Sequence, residues 1–138
     1  MTTLEFLIGG IILGVVVLTL VALSARKIKL PHKLNQPYFQ TKWLELLARV
    51  KTSEGMMLAV IDADKLLDEA LKKRNFRGKT MGERLVSAQR SLSDNDAAWY
   101  AHKLRNRLVH EPDIKLKKRE AQNALGGFRQ ALKDLGAL

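Results

Sequence analysis

Residues Phe6–Ala25 read FLIGGIILGVVVLTLVALSA, a run of uncharged and almost wholly apolar side chains. At about 1.5 Å per residue a helix of this length covers the roughly 30 Å hydrocarbon core of a bilayer. The run divides the chain into a transmembrane anchor, residues 1–25, a basic juxtamembrane linker, 26–37, and a domain, 38–138. A secretory signal peptide places its positive charge before the apolar stretch. Here Met1–Glu5 carries none outside the amino terminus, and Arg26, Lys27, Lys29 and Lys33 follow the run. A weak cleavage-like pattern at Ala22-Leu23-Ser24 is the only trace of processing, so a retained anchor is the expectation. Lys and Arg flanking a span resist translocation. The expected site is therefore the inner or plasma membrane, with the N-terminus outside and the C-terminal domain cytoplasmic. Gly10 and Gly14 form a GxxxG pair that lets two helix backbones approach, which makes them candidates for dimerisation within the membrane.

The full chain has 138 residues, 24 Lys+Arg against 14 Asp+Glu, a formal net charge of +10 and no cysteine. The absence of cysteine excludes disulfides, thiolate metal sites and cysteine nucleophiles. Three histidines, His32, His102 and His110, do not make a zinc pattern. No phosphate-binding Gly-rich loop and no GxSxG elbow is present, so neither a metal nor a cofactor is expected.

Pro31 and Pro37 bracket the linker, and beyond them the apolar residues recur at three- and four-residue steps without strand-like alternation. The expected fold is all-α: a single N-terminal transmembrane helix followed by a four- to five-helix bundle. Helices are expected over about 37–51, 54–75, 81–91, 94–110 and 115–135. Ser53 is a candidate cap for the second. Thr80 with Glu83 has the capping-box spacing for the third, and Ser93 with Asp96 repeats it for the fourth. Pro112 must end that fourth helix, and Gly136 suits the C-cap of the last. Trp43, Phe76, Trp99, Tyr100 and Phe128 are expected to pack in the core.

The richest stretch for chemistry is Trp99-Tyr-Ala-His-Lys-Leu-Arg-Asn-Arg-Leu-Val-His110-Glu-Pro112. Within it, Arg105-Asn106-x3-His110 resembles the Arg-polar-x3-His signature of the HEPN superfamily, small helical bundles that include metal-independent endoribonucleases. The resemblance covers residues 38–138. It implies a HEPN-like homodimer in which Arg105, Asn106 and His110 form the catalytic set, with a cleft between two protomers. Products would be a 2′,3′-cyclic phosphate and a 5′-hydroxyl.

The chemistry suits these residue types. Imidazole is the side chain whose ordinary titration lies nearest neutrality, so His110 can move protons. The Arg105 guanidinium can hold a phosphate through a fork of donors, and Asn106 can orient His110 or bind a phosphate oxygen. Asn106 and His110 share a helix face, whereas Arg105 and His110 lie about 140° apart around the axis. Supporting roles are expected for His102, one turn before Asn106, and for Asp64. Asp64 and Asp68 lie at the rim of an apolar face and need cationic partners, for which Arg84, Arg105 and Arg107 are available. Arg107, Lys103, Lys117 and Lys118 are candidate RNA contacts.

Two simpler readings stand beside these. A basic last turn is favoured by the helix macrodipole alone, and charge runs are commonly solvated faces. The functional expectation is thus a membrane-anchored HEPN-like protein that cuts or binds RNA or nucleotides. The alternative is a non-catalytic, membrane-tethered scaffolding module that uses the bundle face for an unidentified protein partner.

Overall fold

A computed structural model describes residues 2–24 and 32–138. Arg26, Lys27, Lys29 and Pro31, on which the orientation and part of the linker reading rest, lie outside the described residues. The described residues are helical with no strand: α1 (Thr3–Ser24), α2 (Gln36–Leu47), α3 (Ser53–Lys73), α4 (Met81–Ala88), a 3-10 turn (Gln89–Ser91), α5 (Asn95–His110) and α6 (Lys118–Asp134).

Helix α1 buries none of its residues, and by length and composition it is able to cross a membrane. Its hydroxyls are satisfied internally: Thr19 Oγ1 donates to the Val16 carbonyl and Ser24 Oγ to that of Val21, both at 2.8 Å. Such bonding removes the cost of taking a free hydroxyl into hydrocarbon.

The remaining helices bury amphipathic faces against one another. Helix α3 contacts α2, α4, α5 and α6, and its buried stripe of Ala59, Val60, Ala63, Leu67, Ala70 and Leu71 is the centre of the core. Phe39 from α2, Leu85 from α4, and Phe128 and Leu132 from α6 close around it, all fully buried. Leu34 is buried as well, so the packed body reaches four residues upstream of the expected boundary at Tyr38. Helices α5 and α6 meet backbone to backbone at Gly127, where a Cβ would stand 2.5 Å from the Ala97 carbonyl oxygen.

Helix ends follow local bonding. Thr80 and Glu83 form the expected capping box. Two caps differ from expectation by one residue. Thr52, not Ser53, accepts from the Gly55 N–H, and Asp94, not Ser93, accepts from the Ala97 N–H. Ser93 instead binds the Asp134 carboxylate through its N–H and hydroxyl, at 2.7 and 2.8 Å. Helix α6 begins at Lys118 rather than Lys115, with the Lys117 N–H donating to the Glu120 carboxylate. Gly136 ends it with φ +75° as expected.

At one end of the bundle three segments converge on Arg74, the C-cap of α3. Its Nε donates to the Leu135 carbonyl at 2.8 Å and its Nη1 to the His32 carbonyl at 2.9 Å. Left-handed residues turn the chain in each segment: His32, Asn75 and Gly136.

Candidate functional site

Helix α5 carries the site, and its two termini explain how. Asp94 fixes the start. The helix stops at His110, and Glu111 is extended before Pro112. Between them Ala98, Ala101, Leu104 and Leu108 are buried, which turns His102, Arg105 and Asn106 toward the rim of α3. Asp64, 3% exposed, is waiting there.

Four side chains close into a hydrogen-bonded ring. His102 Nδ1–H donates to Asp64 Oδ1 at 2.8 Å. Its Nε2 accepts from the Asn106 amide at 3.3 Å. The Asn106 Oδ1 accepts from Arg105 Nη1 at 2.9 Å. Arg105 Nε lies 3.4 Å from Asp64 Oδ2, which completes the circuit as an ion pair. Nε is buried without an aligned hydrogen bond, so this last link is coulombic. A single tautomer of His102, with the proton on Nδ1, satisfies both of its own links in the ring. Both ring nitrogens of His102 are thereby occupied, which makes it a residue that positions others. Trp99 packs edge-on to its ring, with centroids 6.0 Å apart.

The ring borders an open cleft of about 450 Å³ between α3, α4 and α5, lined by Asp64, Asp68, Met81, Gly82, Arg105 and Asn106 among others. Asp68 is tied down by Arg84 Nε at 2.6 Å and Lys72 at 2.8 Å. Burial pushes the Asp68 carboxyl up, but the hydrogen bonds and charges of Arg84 and Lys72 outweigh that and hold it below the usual carboxylate range. The cleft thus offers the half-buried Arg105 guanidinium, clamped through Nη1 and Nε, whose Nη2 makes no hydrogen bond among the described residues. Such a group is able to receive a phosphate oxygen without first being ordered.

His110 is placed elsewhere. It is exposed at the last residue of α5, does not line the cleft and makes no hydrogen bond or ion pair among the described residues. The expected row of His102, Asn106 and His110 therefore stops at Asn106, whose amide is spent on His102 and Arg105. Arg107 does not reach either aspartate; it pairs with Glu111 at 3.3 Å on the surface. Lys103, Lys117 and Lys118 are exposed and stand outside the cleft. Tyr100, expected in the core, is 42% exposed.

In α1, the space next to Gly10 and Gly14 is open. No group of carboxylates and histidines among the described residues is arranged to hold a metal ion. Sequence reasoning named Arg84 among three available cations without assigning it to Asp68, a pairing that depends on α4 folding back over α3. Comparison with protein-family models, with curated proteins and with solved structures finds no match for this chain.

Proposed function

We propose that this chain is a membrane-anchored, HEPN-like domain that binds RNA at the Arg105 cleft and cuts it without a metal as a homodimer. The observation that carries this reading is the ring that clamps Arg105 at the cleft wall through Asp64, His102 and Asn106. Electrostatic stabilisation of a reacting phosphate is strongest from donors ordered in advance. The basic domain, +7 over residues 34–138, adds a general attraction for a polyanion.

In the reaction the ribose 2′-oxygen gives up its proton and forms a bond to phosphorus. The bond to the 5′-oxygen breaks and that oxygen takes up a proton. Arg105 balances the charge gathering on the phosphate oxygens. His110 carries the protons. Because His110 stands outside the cleft of its own chain, the reading requires a second copy to bring its His110 to the Arg105 of the first.

The test is incubation of the full chain, in detergent micelles containing EDTA, with a mixed RNA pool and a 2′-deoxy control. Expected are cyclic-phosphate ends on RNA only, and a loss of at least about 100-fold in both Arg105→Ala and His110→Ala, the usual scale for removing a proton carrier or a charge-stabilising donor.

A second reading has its own observation. An apolar groove of about 260 Å³ between α2, α3 and α6, lined by Leu47, Val50, Met56, Ala121 and Leu125, suits a non-catalytic, membrane-tethered interaction module. A folded, dimeric wild-type chain that leaves RNA intact selects it.

A further inference from the structure

The bundle has two ends, and the chain arrives from α1 at only one of them. Arg74 marks that end, because it joins the His32 carbonyl, the C-terminus of α3 and the Leu135 carbonyl. Between Ser24 and His32 lie residues 25–31, and the eight steps from one to the other span roughly 29 Å at full stretch, at about 3.6 Å each. If α1 crosses a bilayer, the Arg74 end is never farther than that from the membrane surface.

The charges at this end are unevenly spent. Most of its acids are engaged inside the fold; exposed Asp96 is an exception, with no hydrogen bond or ion pair among the described residues. Asp68 holds Arg84 and Lys72, and Glu69 holds Lys73 and accepts from the Tyr38 hydroxyl. Glu83 receives the N–H groups of Lys79 and Thr80, and Asp134 receives Ser93. The exposed Lys33, Arg77, Lys79 and Lys133, by contrast, have no ion-pair partner among the described residues. The result is a surface on which Asp68 and Glu69 are neutralised by other cations, leaving Lys33, Arg77, Lys79 and Lys133 with no carboxylate paired to them among the described residues.

We propose that the Arg74 end of the bundle is a membrane-docking surface for anionic phospholipid headgroups, with Lys33, Arg77, Lys79 and Lys133 as its contacts. The inference rests on the reading of α1 as a membrane anchor. Basic side chains are drawn to an anionic leaflet within about a Debye length, some 8 to 10 Å, and the short tether lets this end come repeatedly within that range. The opposite end, with Lys115, Lys117 and Lys118, is also basic, so charge alone does not choose between them. The attachment point does. Docking would leave the α5 terminus with His110 pointing away from the bilayer, free for a second copy or for RNA.

The chain contains no cysteine, so single labels are unambiguous. Fluorophores are placed at Gln36→Cys, the docking end of α2, and at Ala48→Cys, the far end of the same helix. The full-length protein is reconstituted with headgroup-nitroxide lipid in phosphatidylcholine, with or without phosphatidylglycerol. With phosphatidylglycerol, quenching at position 36 should exceed that at 48 severalfold. The difference should shrink in phosphatidylcholine alone, in high salt, and in the Lys33→Gln, Arg77→Gln, Lys79→Gln, Lys133→Gln variant with its helical circular dichroism intact.

Equal quenching at the two positions, or a difference indifferent to phosphatidylglycerol, overturns the proposal. So does a neutralised variant that keeps the difference and instead binds RNA about tenfold more weakly, which would assign this end to RNA. A third label at Leu23→Cys reports on the anchor itself. Absence of quenching there by nitroxides in the acyl chains shows that the membrane reading has failed, separately from docking.

Discussion

Helix α5 holds two polar stretches of similar composition in very different settings. His102, Arg105 and Asn106 are bound into the ring with Asp64, while Arg107, His110 and Glu111 stand in water, with Arg107 paired to Glu111 and His110 unpaired. Yet Asn106 and His110 are only one helical turn apart. The difference comes from the neighbours: Asp64, Met81 and Gly82 line the cleft beside the first stretch, and α5 ends before anything covers the second. A motif can thus be contiguous in sequence and split by packing into a part organised against the bundle and a part left in solvent.

The most forceful way to break this comparison is to remove Asp64. Asp64→Ala leaves His102 and Arg105 without their buried acceptor and should cost about 3 to 5 kcal/mol, the usual price of orphaning a buried charge partner. His110→Ala should stay within about 0.5 kcal/mol, as exposed substitutions do. Thermal unfolding followed by circular dichroism measures both, and equal melting temperatures would erase the distinction between the two stretches.

The start of α5 offers a sharper contrast. Gly127→Ala pushes a Cβ against the Ala97 carbonyl and should cost about 1 to 3 kcal/mol by overpacking. Gly126→Ala meets open space and should gain up to about 1 kcal/mol from helix propensity. Adjacent glycines would then shift the denaturant midpoint in opposite directions.

The smallest effect is in acid. Because the Asp68 carboxyl is held low in the fold, its stabilising contribution is complete above the unfolded value, near pH 4. It disappears as pH falls through the lower folded value. The wild-type protein should therefore lose stability below about pH 4 more steeply than Asp68→Asn, and parallel acid limbs would show that Arg84 and Lys72 do not hold this group.

Much of the architecture is legible in the sequence because helix signals are local. The Thr80–Glu83 box, the Pro112 stop and Gly136 each act within a turn of themselves, and each stands where spacing placed it. The one-residue misses at Thr52 and Asp94 arise where two cap-competent residues adjoin, and pattern alone does not choose between them. The site was legible in part. Asp64 at the rim of an apolar stripe announces a need for a cation, and Arg105 meets it. That His102 would be its nearer partner, and that Arg84 would serve Asp68, depends on the register between α3 and its neighbours, which no single helix encodes. The roles of Arg105, Asn106 and His110 in catalysis belong to the experiment on RNA.

Arg74 has a consequence for force. Tension transmitted along residues 25–31 reaches the domain at His32, and there it meets a guanidinium that also grips Leu135. A pull on α1 should therefore be shared between the beginning and the end of the fold before α2 peels away. In mechanical terms the bundle hangs from a knot and not from a loose thread.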